Sequence, residues 1–178
     1  MNNKNLSNVF KATHSSVVLI LGRFTEDRKE VLDMIRRMLR GDGSKYIPIL
    51  FDFDKLEDQD YTEVITVLAG IAKFIIADLT SPSSIAQELH AIVGAFRTPV
   101  IPIIENSNRY NNEPFSMFED FYKYGWVHPV IEYSSKEVLA QCFNDLVTRA
   151  EEFGTKVFSD RRPKMQRISI EKLQETNK

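Results

Sequence analysis

FIIADLTSPSSIAQELHAIVGAFRTPVIPII, from Phe74 to Ile104, decides the fold, because two apolar strands bracket one short helix within it. Phe74 to Leu79 reads as a strand, with Ile75-Ile76-Ala77 buried and Asp78 leading into a polar loop. Ser83 or Ser84 can cap the next helix, and Val100 to Ile104 reads as the following parallel strand. In open α/β sheets ligands bind beyond the carboxyl ends of the strands, so Asp78, Ser81, Ser84 and Glu88 are all expected near the site.

The rest of the chain repeats this alternation. VVLILG after Ser16 is a first strand, and Thr25 can cap a helix over 26–40 whose Val31, Leu32, Ile35, Met38 and Leu39 share one face. Gly41 and Gly43 end that helix. Tyr46 to Phe53 is a second strand, and Asp60 with Glu63 forms a capping box for a helix through Val64, Ile65, Leu68 and Ile71. An aromatic segment with Phe115, Phe118, Phe121 and Tyr122 precedes a fifth strand over Trp126 to Tyr133; these rings read as core. Ser134 with Glu137 forms a second capping box, for a helix through Val138, Leu139, Phe143, Leu146 and Val147.

Such alternation builds an α/β three-layer fold on a parallel sheet with right-handed crossovers. For five strands the flavodoxin-like order 2-1-3-4-5 is the most economical, and its chain reversal lies between strands one and three. The crevice there would be lined by Gly22, Arg23 and Phe24, by residues 78–84, and by Glu88 behind them. The second loop, 52–60, would form an acidic lid carrying Asp52, Asp54, Glu57, Asp58 and Asp60. Asp78 has a structural reading too, as an acceptor for loop amides.

Composition agrees with one domain: 178 residues, 43% hydrophobic and 27% charged, with a polar leader over 1–15, the domain over 16–153 and a polar tail over 154–178. In that tail Ile168, Ile170 and Leu173 can dock as a short helix or meet a partner. A net charge of −2 gives no drive toward nucleic acid or an acidic membrane. No apolar run has the length of a membrane span and the first residues lack a signal-peptide core, so a cytoplasmic setting is expected. The single cysteine, Cys142, excludes an intrachain disulfide and reads as a buried, inert thiol. His14, His90 and His128 have no ligand spacing, so no metal is expected. Neither the dinucleotide glycine fingerprint nor the P-loop occurs. No acidic pair ends the first strand, which speaks against a phosphoacceptor receiver.

GRFTEDRKEVLDMIRRML and IAKFIIADLTSPSSIAQEL together resemble the Toll/interleukin-1 receptor (TIR) domains and the prokaryotic TIR-like proteins, over about 16–153. In the enzymatic members a helix glutamate supports cleavage of the nicotinamide–ribose bond of NAD, and position by position it falls on Glu88. The resemblance implies NAD as substrate with no further cofactor, and self-association. It also implies an effector or sensor partner and a role in prokaryotic antiviral defence or signalling. Arg23 would then contact the diphosphate, and Phe24 or Trp126 would stack on a ring. Ser84 and Ile85 stand where many members have Trp-Cys, and the second loop lacks the Arg and Pro-Gly features of signalling receptors. Without catalysis, the resemblance implies an interaction and assembly module. ADLTSPSSIAQELHAIVGAFRTPVIPI is also similar to nucleoside 2-deoxyribosyltransferase-like enzymes, whose glutamate attacks the same ribose carbon. Those enzymes usually have Gly where this chain has Leu89.

Overall fold

The computed structural model describes residues 16–51, 61–80, 85–107, 114 and 116–159, with the backbone alone for Tyr61, Glu88 and Met117. Five strands, β1 (Val17–Leu21), β2 (Ile47–Leu50), β3 (Phe74–Asp78), β4 (Val100–Glu105) and β5 (Ile131–Tyr133), pair in parallel in the order β2-β1-β3-β4-β5. The helices are α1 (Glu26–Leu39), α2 (Tyr61–Ile71), α3 (Ile85–Ala95), α4 (Lys136–Gln141) and α5 (Phe143–Ser159), with a 3-10 helix over Ser116–Lys123. This is the expected α/β flavodoxin-like fold.

Strand alternation sorts the core into two halves. Val18, Ile20, Phe74, Ile76, Ile101, Ile103 and Tyr133 face α1, α4 and α5. Val17, Leu19, Leu21, Ile75, Ala77 and Val100 face α2, α3 and the 3-10 helix. The three central strands are buried along both faces, which is why they read as continuous apolar runs. Full burial of each such Leu or Ile contributes about 1.5–3 kcal/mol. Phe118 and Phe121 are buried as core aromatics, whereas Tyr122 is half exposed.

Several local expectations are corrected. The fifth strand is shorter than Trp126–Tyr133, because Pro129 has no N–H for the ladder. Only an isolated bridge, Val100 to Val127, extends the pairing upstream. The cap of α4 is Ser135, whose hydroxyl accepts from the Val138 amide at 3.3 Å, one residue past the expected Ser134. Thr25 has an extended N-cap backbone but makes no side-chain cap bond. The expected single helix after β5 breaks at Cys142, the C-cap of α4, and this turns the cysteine outward instead of burying it. Helix α5 runs through a buried Gly154 to Ser159, past the point where the sequence suggested a polar tail. The leader over 1–15, His14, the capping Asp60, Phe115 and the segment 160–178 lie outside the described residues. Among the described residues, no helix is long and apolar enough to cross a membrane.

Candidate functional site

The chain reversal falls between β1 and β3, as the strand order requires. Gly22 follows β1 and is buried. A Cβ built on it would lie 2.5 and 2.7 Å from the two methyl carbons of Leu32, so the glycine lets the loop close onto α1. Arg23 is exposed and forms no ion pair among the described residues, whereas Phe24 is half buried against the α1 side of the core. Position 88 lies in the first turn of α3, at the carboxyl end of the sheet. Its side chain, and all of Asp54, Ser81, Ser84 and the acidic lid over 52–60, lie outside the described residues.

Asp78 has the loop-bonding role and does not open onto a crevice. It shares a strand face with Phe74 and Ile76, toward α1, while α3 packs on the opposite face. Its Oδ2 accepts from Nε and Nη2 of Arg28 at 2.9 and 2.5 Å, and its Oδ1 accepts from the Thr80 amide at 3.1 Å. Both oxygens have a partner, and the side chain is fully buried. Arg28 Nη1 also reaches Oε2 of Glu105 at 2.5 Å, and Nη2 donates to the Tyr133 hydroxyl. The Glu105 amide in turn donates to Thr80 Oγ1 at 2.9 Å. One guanidinium thus ties together α1 and the carboxyl ends of β3, β4 and β5.

Electrostatics follows from that burial. Desolvation pushes the Asp78 carboxyl above its usual range against the pull of Arg28. The same burial opposes charge on Arg28, but Asp78 and Tyr133 outweigh it and keep the guanidinium protonated. Burial first, and the Asp78 charge second, raise the Tyr133 phenol. The cluster is an anchor beneath the strand ends. Sequence reasoning passed over Arg28, Glu105 and Tyr133.

Trp126 is at the wrong end of the sheet to stack on a ligand in the crevice. Its carbonyl accepts from the Val100 amide at the start of β4, and its Nε1 donates to Val93 O at 3.0 Å. Expectation fails because Pro129 and the short β5 leave this ring at the amino ends of the strands. Among the described residues, no three His, Cys, Asp or Glu side chains group to hold a metal.

No family model matches the chain, and none of the curated proteins matches it. Among solved structures it is similar to diflavin flavoprotein A3 from Nostoc sp., at 16% identity and a TM-score of 0.51, over 82% of this chain and 94% of that one. That likeness shows the flavodoxin-like fold. A flavodoxin-like domain from Synechococcus sp. is 18% identical with a TM-score of 0.44, over 80% and 94% of the two chains. The TIR domains of the activated Roq1 resistosome are 15% identical with a TM-score of 0.42, over 80% and 82%.

Proposed function

We propose that this chain is a TIR-like N-glycosidase that cleaves the nicotinamide–ribose bond of NAD, with the carboxylate of Glu88 stabilising the reacting sugar. The observation that supports the reading is the place of residue 88 in the first turn of α3, after β3 and beside the chain reversal. A fold alone assigns no activity, so the weight rests on that position and its chemistry.

Nicotinamide leaves as a neutral base with the electron pair of the broken C1′–N bond, and positive charge develops on the ribose. An ionised carboxylate stabilises that charge or traps it covalently, as in glycoside hydrolysis. Water then supplies the new C1′–O bond and releases a proton. A helix N-terminus favours the ionised acid by about 0.3–1 kcal/mol. The exposed Arg23 supplies a fork for the diphosphate. Gly22 shapes the first loop and Asp78 holds its neighbour Thr80, so both act through the scaffold. In this reading the chain works as a self-associated assembly, in defence or signalling, with NAD as substrate and no further cofactor.

The test is NAD turnover by the purified full chain, at high protein concentration with a crowding agent, beside Glu88→Gln and Glu88→Ala. The proposal expects turnover that both substitutions abolish while the oligomeric state is kept. Turnover that survives them removes the catalytic role. Absence of turnover from an assembled wild-type chain leaves a noncatalytic assembly module as the reading.

A further inference from the structure

The open edge of the sheet beyond β5 carries a groove of about 470 Å³, lined by Ile131 and Tyr133 and by Val138, Leu139, Cys142 and Leu146 of the α4–α5 corner. Val138 is 39% exposed and Cys142 is exposed, so these apolar side chains face outward without cover from the described residues. Glu132, Asp145 and Glu152 surround them with a single Arg149, which leaves the rim acidic. The groove lies two strands away from the β1–β3 reversal and is independent of the proposed chemistry.

We propose that the chain's own segment 165–170, MQRISI, occupies this groove. Three observations carry it. Met165, Ile168 and Ile170 supply apolar side chains in a segment otherwise polar. Arg161, Arg162, Lys164 and Arg167 outnumber the acids Asp160 and Glu171 across 160–171, which leaves this stretch opposite in sign to the rim. Reach is sufficient: α5 forms one wall of the groove, and only about 10 Å of helix separates Glu152 from Ser159 at ~1.5 Å per residue. Residues 160–164 span about 17 Å when extended. Tethering so close makes the encounter intramolecular, at an effective concentration on the order of millimolar.

Helix α5 lies on the same face as α1. A sixth parallel strand outside β5 would therefore require a left-handed crossover, which is strongly disfavoured. The segment is accordingly assigned to the groove through its side chains, and not to the ladder of the sheet.

The lone Cys142 reports on the groove directly. In the full chain, Ser169→Cys should form an oxidant-induced disulfide with Cys142 within one molecule, at least about tenfold faster than Asn177→Cys, because docking concentrates one position over the other. In chains otherwise wild type, Ile168→Asp with Ile170→Asp should speed alkylation of Cys142 at least about threefold, and Arg161→Glu with Arg162→Glu should do the same at low salt. Circular dichroism checks that the domain stays folded in both double variants. Equal cross-linking at 169 and 177, or alkylation rates unchanged by both double variants, would overturn the assignment. Disulfides that join two molecules would give the groove to a second copy and overturn it equally.

Discussion

Arg28 and Asp78 form a buried pair across fifty positions of sequence, with Nε and Nη2 of the guanidinium converging on Oδ2 at 2.9 and 2.5 Å. Both side chains are essentially inaccessible to water. Glu105, at 2.5 Å from Nη1, is more exposed than Arg28. A pair of this kind adds little net stability over a well-packed apolar substitute, yet it punishes the loss of one partner. Its geometry also fixes where Thr80, and therefore the chain that leads into α3, leaves the sheet.

Arg28→Met should cost about 3–5 kcal/mol, since it strands the Asp78 carboxylate in the core. Asp78→Asn should cost less, because Arg28 keeps Glu105 and Oδ1 still accepts from Thr80. The double variant should recover about 0.5–3 kcal/mol relative to the sum of the two. Urea unfolding of the four proteins measures this, and strict additivity would show that the pair is not coupled.

The fold was legible because the chain's periodicities are clean. Phe74 to Ala77 and Val100 to Ile104 are buried on both faces, and their sequences contain nothing else. What escaped was the side-chain pairing between residues distant in sequence. Arg28 stands three and four residues before Val31 and Leu32, on the buried stripe of α1, so its spacing marked it as an inward residue. A charged side chain at such a position ordinarily turns to solvent. Pairing with Asp78, Glu105 and Tyr133 makes a buried arginine tolerable, and pairing is invisible in one dimension. The break at Cys142 was missed for a related reason: Leu139, Phe143 and Leu146 keep helical spacing across it. The candidate glutamate was legible as a position, by strand order and helix start alone.

Gly22 offers a test of close packing. Adding a methyl group drives it to within 2.5 Å of Leu32, whose side chain is itself fully buried. Gly22→Ala should therefore destabilise the domain by about 1–3 kcal/mol. Shortening the obstacle should relieve part of this, so Gly22→Ala with Leu32→Val should be more stable than the two single losses added together. A shift in the thermal midpoint of each variant gives the comparison.

Glu151 gives a pH dependence with a definite sign. Burial alone would raise its carboxyl, but Lys45, Lys73 and the Tyr46 hydroxyl outweigh burial and hold it down at about 2. Lys73 Nζ lies 2.5 Å and Lys45 Nζ 2.8 Å from Oε1. A depressed folded-state pKa contributes stability that is fully present above the unfolded value of 4.5 and is lost as pH falls toward about 2. With a third of the side chain in water, the contribution is discounted to about 1–2 kcal/mol. Glu151→Gln should be less stable than wild type near neutral pH by that amount, and the gap should close between pH 4.5 and 2. Chemical denaturation at several pH values reads it; a constant gap would assign the loss to packing.

Arg23 offers a test that separates the proposed substrate recognition from the scaffold. It is exposed and has no ion-pair partner among the described residues, so Arg23→Ala should change stability by no more than about 0.5 kcal/mol. If its guanidinium grips the NAD diphosphate in the ground state and the transition state alike, losing hydrogen bonds to a charged group costs about 1.5–3 kcal/mol. That converts to a rise in KM of roughly tenfold to a hundredfold with kcat held, the signature of uniform binding. Arg23→Lys should restore only part, because an ammonium cannot make the forked contact. Steady-state turnover of the assembled chain over a range of NAD concentrations resolves KM from kcat. An unchanged KM in Arg23→Ala would return this side chain to the solvated surface, while a fall in kcat alone would place it at the developing charge beside residue 88.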